Sequence, residues 1–109
     1  MIRDTLKKIE QTVRGAPIAS SEKKHELLDL LDKLDTELET LEQTHEKDAR
    51  TIAGLAEKAT REATQPSDRP PAGDARAGLA NSVRDFETTH PRLVSLVRAI
   101  CDSLASVGI

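Results

Sequence analysis

Each of the three histidines in this chain follows a glutamate by three residues: Glu22 and His25, Glu42 and His45, Glu87 and His90. On an α-helix that spacing sets both side chains on one face. Di-iron and di-manganese bundles take such a pair from each of two helices and a single Glu from each of two more. Glu42 with His45 and Glu87 with His90 hold matching positions in two apolar seams, so antiparallel packing would bring four ligands to one level. Against this, neither seam offers a further inward Glu, and Pro91 distorts the backbone beside His90. The plainer reading is structural. His90 bonds a carboxylate or the carbonyl freed by Pro91, His45 specifies register as polar seam residues can, and His25 faces solvent. No cofactor is expected on that reading. The alternative is a metal-binding bundle holding iron, manganese or zinc through Glu42, His45, Glu87 and His90.

The remaining chemistry is sparse. Cys101 is the lone cysteine, which rules out an intramolecular disulfide and points to a reducing, cytoplasmic setting. Beside Ile100 and near Leu104 it reads as a small buried apolar residue. No nucleophile stands with a base, and there is no glycine-rich phosphate loop or cysteine cluster, so no enzymatic activity is expected. The net charge is -3, with Lys and Arg scattered along the chain, and Phe86 is the only aromatic residue. Neither a phosphate-binding stripe nor stacking platforms for bases exist, which argues against nucleic acid as a partner. The opening Met1 to Lys8 lacks the apolar run of a signal peptide, and no stretch reaches membrane-spanning length, so no membrane partner is expected.

The elements that must position these residues are helices. In 109 residues, 32% are charged and 37% hydrophobic, a balance that suits amphipathic helices in a single all-α domain. Ile2, Leu6, Ile9 and Val13 predict a helix over about 2–14, with Gly15 placed to take a left-handed position and Pro17 to block continuation. Ser20 or Ser21 caps the next helix, predicted over about 21–63, whose seam reads Leu27, Leu31, Leu34, Leu38, Leu41, His45, Ala49, Ile52, Ala56, Ala59 and Ala63. A second four-residue step from His45 to Ala49 is a stutter. Leu28, Leu30 and Leu55 flank that seam. A Pro/Gly-rich loop over about 64–75 leads to a last helix over about 76–107, with the seam Leu79, Val83, Phe86, His90, Leu93, Val97, Ile100, Leu104 and Val107. Val94, Leu96 and Cys101 flank it. At Pro91 this helix is expected to bend and continue, since the seam keeps its register on both sides; the alternative is a new helix capped by Thr88 or Thr89.

These lengths predict a short N-terminal helix and a long antiparallel hairpin, the middle helix alone reaching roughly 65 Å. The last helix should fold back along the distal half of the middle one while the first covers its start, with both chain ends near Leu34. Met1 to Arg14 carries four basic and two acidic residues and Glu22 to Asp48 ten acidic and four basic, so opposite signs should face each other. Such a hairpin leaves a strip of each seam wet. The expected remedy is a homodimer or higher oligomer, a four-helix bundle or coiled-coil-like assembly, with Leu31, Leu34, Leu38, Leu41, Ile52, Phe86, Leu93, Val97, Ile100 and Leu104 at the interface. The function class that follows is a structural or protein-interaction module, and another protein is a further possible partner.

Phe86-Glu87-Thr88-Thr89-His90-Pro91-Arg92-Leu93, followed by Arg98, Ile100, Asp102, Leu104, Ala105 and the ending Gly108-Ile109, resembles one group of proteins. It is similar to the bacterial small-protein family known as domain of unknown function 4404, in which a Phe-Glu-x-x-His-Pro-x-Leu core and a Gly-Ile ending close a short helical chain. The resemblance implies a small helical bacterial protein and brings no established activity or functional residue with it.

Overall fold

The stripe Ile2, Leu6, Ile9 and Val13 forms one face of the first helix, α1 (Ile2–Gly15), and all four side chains are buried. A computed structural model describes residues 2–18, 20–64 and 74–107. Within them follow α2 (Ser21–Glu42), α3 (Glu46–Thr64), α4 (Asp74–Ser82), a single 3-10 turn (Arg84–Phe86) and α5 (Pro91–Val107). The described residues are thus helical with no strand, as the composition predicts.

Two of the three expected helices are in fact broken. The helix expected over 21–63 stops at Glu42 and restarts at Glu46, and the one expected over 76–107 is divided into α4, the 3-10 turn and α5. A rod of 43 residues would be roughly 65 Å long, whereas the longest dimension of the molecule is 39 Å. The reason is burial: a straight rod would leave both halves of its seam wet, while a break at Gln43–His45 lets Leu27 to Leu41 and Ala49 to Ala59 share one core. At Pro91 the expected bend is not found: a new helix begins with proline in its first turn, and its cap is His90 rather than Thr88 or Thr89. Of the Pro/Gly-rich loop expected over 64–75, Gln65 to Gly73 lie outside the described residues, as do Gly108 and Ile109.

Contacts fix the directions. Arg3 reaches Asp35 and Glu39, while Lys24 Nζ donates to the Arg14 carbonyl, so α1 runs antiparallel along α2. Opposite charges do meet there. Leu55 on α3 lies 3.5 Å from where a Cβ on Gly78 of α4 would stand, and Cys101 on α5 lies against the Arg76 carbonyl of α4. Packing therefore puts α1 in the groove of α2 and α3, α4 on α3, and α5 on α2. This corrects the expected topology: α4 covers the distal segment, and α5 lies on α2 rather than on residues 49–63. The expectation that both chain ends meet near Leu34 concerns Met1, Gly108 and Ile109, which lie outside the described residues.

Local chemistry sets the other ends. Ser20 caps α2, its hydroxyl accepting from the Lys23 amide at 3.3 Å. Gly15 stays within α1 and takes no left-handed conformation, so the expected glycine cap is absent. The free end of α1 is instead satisfied by Lys24, a cation on a helix C-terminus. Thr60 is the one buried polar residue among those described, and its hydroxyl donates to the Ala56 carbonyl at 2.8 Å.

Candidate functional site

The two helix breaks are built from the same local sequence. Leu41-Glu42-Gln43-Thr44-His45 precedes α3, and Phe86-Glu87-Thr88-Thr89-His90 precedes α5. In the first, the His45 amide donates to the Leu41 carbonyl at 2.7 Å, and the Ala49 amide donates back to the His45 carbonyl at 2.9 Å. In the second, the His90 amide donates to the Phe86 carbonyl at 2.7 Å, and the Val94 amide donates to the His90 carbonyl at 3.3 Å. Each histidine thus occupies the N-cap position of its helix. Each ring also meets the preceding hydroxyl: Thr44 Oγ1 lies 2.8 Å from His45 Nδ1, and Thr89 Oγ1 lies 3.0 Å from His90 Nδ1. The threonine, stiff at χ1 and bonded locally, disfavours continuing the helix at either place.

The fold brings the two joints together. The rings of His45 and Phe86 are 5.3 Å apart at their centroids, those of Phe86 and His90 5.6 Å, and those of His45 and His90 6.2 Å, all edge to face. Phe86 is the buried member and packs one edge of the core, His90 is half-buried and His45 exposed. Such edge-to-face contacts add about 0.5–1.5 kcal/mol per aromatic pair beyond burial. A cleft opens beside them, lined by His45, Asp48, Ser82, Asp85, Phe86, Thr89 and His90.

This arrangement does not bring the four residues of the metal reading together. The sequence placed His45 and His90 at one level, and they are neighbours, but Glu42 and Glu87 do not line the cleft. Glu87 instead pairs with Arg98 at 3.4 Å. Because α2 ends at Glu42 and the 3-10 turn at Phe86, neither Glu-x-x-His segment lies wholly within a helix. Among the described residues no three His, Cys, Asp or Glu side chains converge as metal ligands must. The bond expected for His90, to a carboxylate or a carbonyl freed by Pro91, is replaced by one to the Thr89 hydroxyl, and the His45 ring likewise meets the Thr44 hydroxyl. His25 is exposed.

The ten residues expected at an oligomer interface lie in the core of the single chain. Leu31, Leu34, Leu38, Leu41, Ile52, Phe86, Leu93, Val97, Ile100 and Leu104 are all buried within one chain. Because each seam is folded onto its own molecule, the reason for expecting a second copy, a wet apolar strip, does not apply to them. Cys101 is half-buried, and burial, assisted by the Asp102 charge, pushes its thiol up against the weaker opposing pull of Arg76, so little thiolate is available.

A second surface joins α2 to α5. Leu30 and Leu96, both flanking their seams, are half-buried against the core and line a groove with Pro91, Ser95, Lys33, Glu37 and Arg92. The sequence marked the two leucines as widening their stripes. The charged and small residues between them carried no signal, because their adjacency exists only once α5 lies on α2. No helix among the described residues is long and apolar enough to cross a membrane.

Residues 27–109 match the family described as Domain of unknown function (DUF4404), a stretch that takes in most of α2 and all of α3 to α5. No curated protein and no solved structure matches the chain.

Proposed function

This chain belongs to the DUF4404 family, and from that premise we propose that it is a non-enzymatic helical interaction module that binds another protein along the groove between α2 and α5. The observation that carries this reading is the pairing of Leu30 and Leu96 at the surface, with Lys33, Glu37 and Arg92 around them. Apolar surface rimmed by charge is the ordinary anatomy of a protein-binding patch. A groove between two helices accepts the apolar face of a third, read through anchors spaced three and four residues apart. Lys33 and Glu37 on α2 with Arg92 on α5 would select such a helix by charge and orient it.

The test uses the full-length chain. A photo-crosslinking residue at Ser95 should capture a defined partner from cells, and the same residue at His25, far along α2, should not. Leu30→Glu with Leu96→Glu should abolish the capture while leaving the far-UV circular dichroism and Tm near those of the parent. Capture that persists in the double variant overturns the reading.

A further inference from the structure

The seat of α1 is itself a helix-binding groove. Ile2, Leu6, Ile9 and Val13 are buried between α2 and α3, so α1 is held as an amphipathic helix is held by a receptor. Three features leave unfilled space or unmet polarity at this seat. A cavity of about 340 Å³ opens between Ile2 and Thr5 on one side and Arg50, Ala53, Gly54 and Glu57 on the other. A side chain at Gly54 would meet nothing within 4 Å. On α2, Asp35 Oδ1 is buried with no hydrogen-bond partner, although the other oxygen lies 3.8 Å from Arg3.

We propose that this groove also accepts α1 from a second copy of the chain, so that two molecules exchange their first helices reciprocally. The occupant is specified by what already sits there. Arg3 and Lys7 lie near Asp35 of the acidic α2, and Arg3 reaches Glu39 at 2.9 Å. An exchanged α1 remakes every one of these contacts, and only the connection to α2 changes path. That connection is short and exposed around Pro17, with the Ile18 amide donating to the Ala16 carbonyl at 2.8 Å in a tight turn. Short hinges of this kind favour exchange of a terminal element. A released helix of 14 residues is marginal in water, so it does not stay free but redocks in a groove, its own or a neighbour's. This inference is independent of the α2–α5 groove, which lies on another face of α2.

The decisive experiment mixes two full-length single-cysteine chains, each carrying Cys101→Ala: one with Arg3→Cys and one with Glu39→Cys. Both positions are exposed, with side chains 59% and 54% accessible, so folding is not at risk. Oxidation after incubation should give a disulfide-linked heterodimer on a non-reducing denaturing gel, and its share should rise about tenfold from low micromolar to near-millimolar protein, as mass action requires. A control mixture of Arg3→Cys with Arg98→Cys should give little. Leu96→Glu in both chains should leave the yield unchanged, which separates this inference from the proposed docking groove. A heterodimer yield no higher than the control at every concentration overturns the proposal.

Discussion

The joint before α3 and the joint before α5 share an apolar residue, a Glu, a Thr and a His at identical spacing, yet only one is followed by proline. Pro91 occupies the first position of α5, and Glu46 that of α3. Proline is therefore not what breaks the helix. What the two joints have in common is a hydroxyl bonded to an imidazole, and an apolar residue four positions before the cap, Leu41 or Phe86, that is buried in the shared core. A helix ends here because folding back buries more apolar surface than continuing would, and the local hydrogen bonds make the stop inexpensive.

The comparison can be broken most severely at its apolar anchors. Phe86→Ala should cost about 3–5 kcal/mol and Leu41→Ala about 3 kcal/mol, read by urea unfolding. Because the Phe86 ring touches both histidines, the double variant should depart from additivity by about 0.5 kcal/mol or more. Additive losses would mean that the joints act separately. A sharper probe is Glu46→Pro, which makes the first joint read like the second. In an uninterrupted helix it would cost about 3 kcal/mol, but at the first position of α3 it should change stability by less than about 1 kcal/mol. The reciprocal Pro91→Ala should have an effect of similar small size. Far-UV circular dichroism should show no extra helical turn, since Thr89 and His90 still stop the preceding segment.

Much of the fold was legible. Four-and-three spacing marked every buried seam residue of α1 and α2, and nearly all of those further along, because burial of one helical face is a local property. The break at His45 was not legible by the usual punctuation, since neither Gly nor Pro stands there. The signal was present in another form: Glu-x-Thr-His occurs twice, and at the second occurrence Pro91 announces a helix start, so the first could have been read the same way. Glu46 and Asp48, acidic residues suited to a first turn, agree with it. The candidate site was less legible. Helical spacing predicted that His45 and His90 would lie together, which they do, but it also assigned them Glu42 and Glu87 as companions, which holds only for unbroken helices. The α2–α5 groove depends on which helix α5 chooses, and two antiparallel seams of similar composition do not encode that choice.

Asp35 carries a consequence for behaviour in acid. Burial of its carboxyl raises its pKa above the usual carboxylate range despite the nearby Arg3, with Glu39 and Asp32 pushing the same way. A carboxyl raised in the folded state favours folding below its unfolded pKa, and that advantage is lost as pH climbs through the folded value. Asp35→Asn should therefore raise Tm modestly at neutral pH, with the gain fading as pH falls toward about 4 and absent below it. Most carboxylates in salt bridges let go of their helices when protonated. Here protonation relieves the cost of burying a charged carboxylate with an orphaned oxygen, so mild acid removes one penalty of the folded state.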